Sequence, residues 1–160
     1  MAAAYHVIIA DDDALIRSLI ARIVARTYDS VMISAVPDGF DALGIYQQHG
    51  ADLVITDQQM PVLTGLRLIE RLRLLNPTLP VIMASAHQSI EARVRAMGVT
   101  YFLLKPFRVT QLTQLLTGVL PLSELEVDFV SDEHGSCHAG SHRGQWQPHL
   151  LCNDGTYKEL

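Results

Sequence analysis

Residues 52–73 read DLVITDQQMPVLTGLRLIERLR. Asp52-Leu53-Val54-Ile55-Thr56 is an apolar run of strand length that stops at an acid, Asp57. Beyond Pro61 and Gly65, Leu66, Ile69 and Leu72 recur at helical spacing while Arg67 and Arg71 fall on the opposite face. A buried strand feeding an amphipathic helix is one βα unit, and much of the chain repeats it.

Four further apolar runs lie at intervals of roughly 20 to 25 residues: His6 to Ala10, Val31 to Ala35, Pro80 to Ala84, and Tyr101 to Leu104. Their apolarity is continuous and not alternating, which predicts parallel strands buried on both faces. In a first helix, Leu15, Leu19 and Ile23 are set against Arg22 and Arg26. Asp38-Gly39 opens a second helix and Gly50 closes it, Asn76-Pro77 stops the third, and Gly98 ends a fourth. Thr110 to Leu120 forms a fifth, with Leu112, Leu115, Leu116 and Val119 inward and Pro121 as its stop. The expected fold is an α/β (βα)5 domain, a doubly wound five-stranded parallel sheet with helices on both faces.

At 160 residues and 49% hydrophobic, the chain can bury a full core without disulfide or metal. Cys137 and Cys152 both lie late in the sequence, which favours a reducing compartment over a disulfide framework. The start, MAAAYHVIIADDD, has no basic leader, and no apolar stretch approaches the roughly 18 to 20 residues of a membrane span. A cytoplasmic protein without membrane attachment is expected. Acids and bases balance over residues 1–120, whereas 121–160 carry the whole net charge of -5. Neither part has the basic excess of a nucleic-acid-binding domain.

Ligands of an open α/β sheet sit outside the carboxyl ends of the strands. Those ends carry Asp11-Asp12-Asp13, Asp57, Ser85 and Lys105-Pro106. Singly, each has a plain structural reading: Asp13 before Ala14 as a helix N-cap, Ser85 as a capping hydroxyl, Lys105 as a solvated charge. Jointly they define a chemistry. Converging carboxylates repel unless a cation neutralises them, and hard oxygen ligands in that number suit Mg²⁺, which also takes phosphate oxygens. A carboxylate beside such a cation can attack a phosphoryl group, with an ammonium and a hydroxyl to stabilise the transferring oxygens.

VIIADDDALIR (7–17), the 52–73 stretch, PVIMASAH (80–87) and YFLLKPF (101–107) closely resemble, in order, the receiver domain of bacterial two-component response regulators, over residues 5 to about 120. The most specific match is Asp-x-x-Met-Pro-x-x-x-Gly from Asp57 to Gly65. The resemblance implies a flavodoxin-like strand order 2-1-3-4-5. It implies that Asp57 accepts a phosphoryl group from a phosphohistidine of a sensor histidine kinase or phosphotransfer protein. Mg²⁺ would be held by Asp11, Asp12, Asp57 and the backbone carbonyl of Gln59, with Asp13 in a variable position. Ser85 matches the switch hydroxyl, Lys105 the lysine that contacts the phosphoryl group, and Phe102, preceded by Tyr101, the switch aromatic. Gln59 and His87 occupy the two positions that tune hydrolysis of the acyl phosphate. A cis peptide is implied before Pro106, and Gly65 is expected to supply a backbone conformation that other residues resist. The output surface would be Gln88 to Met97, Thr100 to Leu104 and Val109 to Val119, open to a downstream protein or a homodimer.

No separate substrate is expected to turn over. A phosphatase of the haloacid dehalogenase type would want Asp-x-Asp-x-Thr/Val, but Leu15 stands at the last place, and no cap insertion is visible. A phosphorylation-independent scaffold is the other rival. Residues 121–160 form either a small β appendage, with strand character at Leu125 to Val130 and Leu150 to Tyr157 around a turn at Asn153-Asp154-Gly155, or a disordered extension. The spacing of His134, Cys137, His138, His142, His149 and Cys152 is irregular for zinc. A polar tail with an apolar docking segment (Leu122, Leu125, Val127, Phe129) is the preferred reading. No helix-turn-helix pattern follows Pro121, so a stand-alone receiver, or one cut from a longer protein, is expected.

Overall fold

The computed structural model describes residues 5–99, 101–122, 149–151 and 157–159. The chain divides into two units, Met1–Ser123 and Glu124–Leu160.

The first part contains β1 (Tyr5–Ala10), α1 (Ala14–Thr27), β2 (Val31–Val36), α2 (Gly39–His49), β3 (Leu53–Asp57), α3 (Gly65–Leu75), β4 (Val81–Ser85), α4 (Glu91–Ala96), β5 (Tyr101–Leu104) and α5 (Val109–Val119). All strand pairs are parallel, in the order β2-β1-β3-β4-β5. This is the flavodoxin-like (βα)5 sheet that the apolar runs predict.

β3 and β4 are buried along their whole length, and β1 is buried except at Tyr5. The outer strands differ from the sequence expectation. β2 has only half-buried and exposed positions, with Met32 46% exposed, because an edge strand has one flank open to water. β3 and β4 each run one residue past the predicted end, so Asp57 and Ser85 are themselves ladder residues, facing Ala84 and Leu104. Their backbones are fixed by the sheet and not by a loop.

Ile8, Val54, Leu68, Ile69 and Leu72 belong to the core between the sheet and α2, α3 and α4. Val7, Ile9, Ile20, Ile23, Leu112 and Leu116 belong to the core under α1 and α5. Burial of each such side chain contributes about 1.5–3 kcal/mol.

Helix ends follow the predicted signals. The Asp38 side chain accepts from the backbone N–H groups of Phe40 and Asp41, and Gly50 closes α2 with φ 68°. Gly98, at φ 75°, follows α4. Gln88–Ile90 is a separate 3-10 turn, leaving α4 shorter than expected.

The inward face of α1 also departs from expectation. Its buried residues are Ile20, Ile23 and Val24, whereas Leu15 is 81% and Leu19 39% exposed. Residues four apart advance by about 40° around a helix, so a 15/19/23 stripe winds away from the sheet.

In the second part β6 (His149–Leu151) pairs antiparallel with β7 (Tyr157–Glu159), His149 opposite Glu159. Thr100, the stretch Leu125 to Val130, the turn Asn153-Asp154-Gly155, and His134, Cys137, His138, His142 and Cys152 lie outside the described residues. Among the described residues no helix is long and apolar enough to cross a membrane.

Candidate functional site

Four strand ends deliver the polar groups to one edge of the sheet. Asp11, immediately after β1, is 1% exposed, and Asp57 and Ser85 close β3 and β4 at 7% and 1%. Lys105 follows β5, and its backbone N–H still donates to the Ser85 carbonyl at 2.8 Å, which keeps it in the sheet frame. Its ammonium reaches across the edge, donating to Asp11 Oδ2 at 2.7 Å and to Asp57 Oδ1 at 3.0 Å.

The remaining carboxylate oxygens have backbone donors. Asp11 Oδ1 accepts from the Asp13 N–H at 2.9 Å, and Asp57 Oδ2 from the Gln59 N–H at 2.7 Å. Ser85 Oγ accepts from the His87 N–H at 3.1 Å, so its own proton stays available to a new acceptor. The peptide between Lys105 and Pro106 is cis, as the sequence resemblance implies.

The electrostatics follow from burial. Loss of water pushes the Asp11 carboxyl above its usual range; the bond and charge of Lys105 and the Asp13 N–H pull it back only in part, and the Asp57 charge adds to the rise. Burial works against the Lys105 ammonium, but its hydrogen bonds to Asp11 and Asp57, with their charges, outweigh it and leave its pKa raised. With one cation against two inward carboxylates, the pocket remains short of positive charge.

Of the other predicted residues, Asp12 is exposed. Asp13 caps α1 by accepting from the N–H groups of Leu15 and Ile16, its plain structural role. Gln59 and His87 are exposed at the rim, and Phe102 is partly buried against the α3–α4 side of the core.

Among the described residues no three Asp, Glu, His or Cys side chains gather into a ready-made cation cage. The donor set nevertheless fits an ion that takes one or two carboxylates and fills its shell with water and phosphate oxygens, as Mg²⁺ does.

Gly65 is needed for a different reason from the one expected. It has no positive φ; a Cβ there would lie 2.2 Å from the Asp57 carbonyl oxygen. The left-handed residue of this loop is Val62, with φ 63°.

Two features escaped the sequence reading. The Arg17 guanidinium donates to the Asp11 carbonyl, an i to i-6 contact that no helical period signals. A groove of about 380 Å³, lined by Ile16, Leu19, Ala86, Lys105, Pro106 and Phe107, opens beside the Lys105 side of the pocket. The misassigned Leu19 was its only hint.

The response regulator receiver domain family matches residues 7–117. A protein-glutamate methylesterase/protein-glutamine glutaminase of Pseudomonas aeruginosa is 36% identical over 104 residues, 62% of this chain and 30% of that protein. Response regulator MprA of Mycobacterium ulcerans is 27% identical over 129 residues, 79% of this chain and 55% of the relative. The chain thus spans only a third to about half of the length of these two relatives. Among solved structures, the chemotaxis response regulator CheY4 of Vibrio cholerae superposes with a TM-score of 0.65 at 28% identity, covering 75% of this chain and all of that one. The receiver domain of NtrX from Brucella abortus gives 0.64 at 28% identity, covering 71% of this chain and 97% of the other. With its family match spanning most of the sheet and the same fold in its neighbours, the chain belongs to the response regulator receiver domain family of two-component systems.

Proposed function

We propose that residues 1–120 act in the cytoplasm as a phosphorylation switch, with Asp57 as phosphoacceptor and a phosphohistidine of a sensor kinase or phosphotransfer protein as donor. The observation that carries this reading is the Lys105 ammonium held between the buried carboxylates of Asp11 and Asp57. An Asp57 carboxylate oxygen forms the new bond to phosphorus as the phosphorus–nitrogen bond breaks, and the imidazole leaves with the electron pair. Lys105 is already within hydrogen-bond reach of Asp57 and can follow the negative charge onto the phosphoryl oxygens.

Asp11, Asp12, Asp57 and the Gln59 carbonyl are the groups that would hold Mg²⁺, which supplies charge neutralisation at the carboxylate and the phosphoryl oxygens. Gln59 and His87, at the rim, govern how water reaches the acyl phosphate. The groove at Leu19, Pro106 and Phe107, with exposed Leu15, supplies apolar docking surface for the donor protein beside the accepting atom.

Ser85 would donate its free proton to the phosphoryl group and draw the following 86–90 segment with it. That segment is a single 3-10 turn leading into a six-residue α4 whose N-cap makes no side-chain bond, so it has little local stability to resist movement. Phe102 packs against the same core as Ile90 and Met97 and would repack with them. The α4–β5–α5 surface then changes population between two arrangements, read by a downstream protein or a second copy of the chain. Balanced charge over this part favours protein partners over nucleic acid. Residues 121–160 are assigned as a separate acidic segment.

The test is Mg²⁺-dependent uptake of one phosphoryl group from acetyl phosphate by the full chain, read by intact mass. No uptake by the folded chain contradicts the reading.

A further inference from the structure

The loop between Asp57 and α3 contains a residue in a conformation that its side chain opposes. Val62 has φ 63°, and among the described residues it is the one non-glycine residue with positive φ. A β-branched side chain is among the least tolerant of that region. The Leu63 N–H donates to the Pro61 carbonyl at 2.6 Å across Val62, closing a three-residue turn of the strained left-handed kind. The Val62 side chain is 81% exposed, so burial does not compensate for the strain. Other contacts must hold the loop in place.

Two of these contacts are close packings of backbone on backbone, Gly65 against Asp57 and Gly39 against Leu63. The third involves Gln58. Its carbonyl accepts from the Gly65 N–H at 3.2 Å, and its side-chain Oε1 accepts from the Leu66 N–H at 3.0 Å. Thr64, the N-cap residue of α3, makes no side-chain cap bond, so the Gln58 amide oxygen takes that place at the positive end of the helix. The next residue, Gln59, donates its N–H to Asp57 Oδ2 at 2.7 Å. A continuous path therefore runs from the first turn of α3 through Gln58 to the carboxylate.

Building on the reading of Asp57 as phosphoacceptor, we infer that Gln58 is a positioning residue: it latches the 58–65 loop to α3 against the strain at Val62 and so keeps Gln59 on Asp57. When the latch is lost, the loop relaxes at Val62 and the Gln59 N–H leaves the carboxylate. Gln58 touches no reacting atom.

The experiment uses the full chain and two readouts, hydrogen exchange at the Gln59 amide and the rate of phosphoryl uptake from acetyl phosphate with Mg²⁺. Gln58→Met keeps the shape and removes the acceptor. It should raise exchange at Gln59 and slow uptake by roughly five- to tenfold, the scale of one lost helix cap. Gln58→Glu keeps the acceptor and should match wild type in both. Adding Val62→Gly to Gln58→Met should restore both, because glycine adopts positive φ without cost; a role confined to the stability of α3 would gain nothing from a change at residue 62. Unchanged exchange in Gln58→Met, or no rescue by Val62→Gly, overturns the inference. If Gln58→Met does not fold, a folded double variant with wild-type exchange supports the latch and an unfolded one overturns it. If wild type takes no phosphoryl group, the phosphoacceptor reading fails, while exchange at Gln59 still decides on the latch.

Discussion

The Lys105 ammonium and the Asp57 carboxylate, 48 residues apart in sequence, meet at 3.0 Å at the edge of the sheet. The same ammonium holds Asp11 at 2.7 Å. Lys105→Met leaves two inward carboxylates without a cation, one of them almost fully buried. The metal-free chain should lose about 1–3 kcal/mol in urea unfolding, and Mg²⁺ should recover part of that loss. Equal stability of the variant and wild type without metal would show that the pair carries no structural weight.

Two glycines should respond in opposite directions to alanine. At Gly65 a Cβ lies 2.2 Å from the Asp57 carbonyl oxygen, so Gly65→Ala should cost about 3 kcal/mol and displace Asp57. At Gly44, inside α2, a Cβ meets nothing within 4 Å, and Gly44→Ala should stabilise by about 0.5–1 kcal/mol. Thermal melts of the two variants check both signs.

Tyr28 donates its hydroxyl to the Leu116 and Leu120 carbonyls at 2.7 and 3.0 Å. Burial, with a smaller contribution from Tyr5, pushes its pKa up to about 12 from 10.0. A raised pKa means that the folded state keeps its proton where the unfolded chain has lost it. The contribution is therefore complete below about pH 10 and lost as pH rises towards 12, about 2–3 kcal/mol in all. Tyr28→Phe should be less stable than wild type at neutral pH, and the gap should close across that window. A pH-independent gap would assign the whole effect to packing.

Leu15 and Leu19 face water. Leu15→Glu and Leu19→Glu should change stability by no more than about 0.5 kcal/mol and leave uptake from acetyl phosphate intact. Transfer from any phosphohistidine protein that phosphorylates wild type should fall by about tenfold or more, through loss of apolar contact. Unchanged transfer would move the docking surface elsewhere.

Much of this was legible in the sequence because the signals were local. The buried strands are continuous apolar runs, Asp38 and Gly50 bracket a helix by their own chemistry, and the Asp57 to Gly65 pattern marks one loop. The misreadings concern relations between elements. The burial of β2 depends on its place at the sheet edge, which its own residues do not state. The Leu15 and Leu19 stripe mimics an inward face because a four-residue spacing drifts around the helix. Gly65 was correctly singled out but for the wrong cause, since its constraint comes from the Asp57 backbone and not from its own φ. The Gln58 bond to Leu66 and the strain at Val62 left no composition signal, because either residue type is ordinary in a loop.

The central claim is tested most directly by intact mass of wild type and Asp57→Asn, each incubated with acetyl phosphate and Mg²⁺. Wild type should gain one phosphoryl group, and Asp57→Asn, folded and with Lys105 intact, should gain none. A gain by both would place the acceptor at another residue, and a gain by neither would contradict the phosphorylation switch.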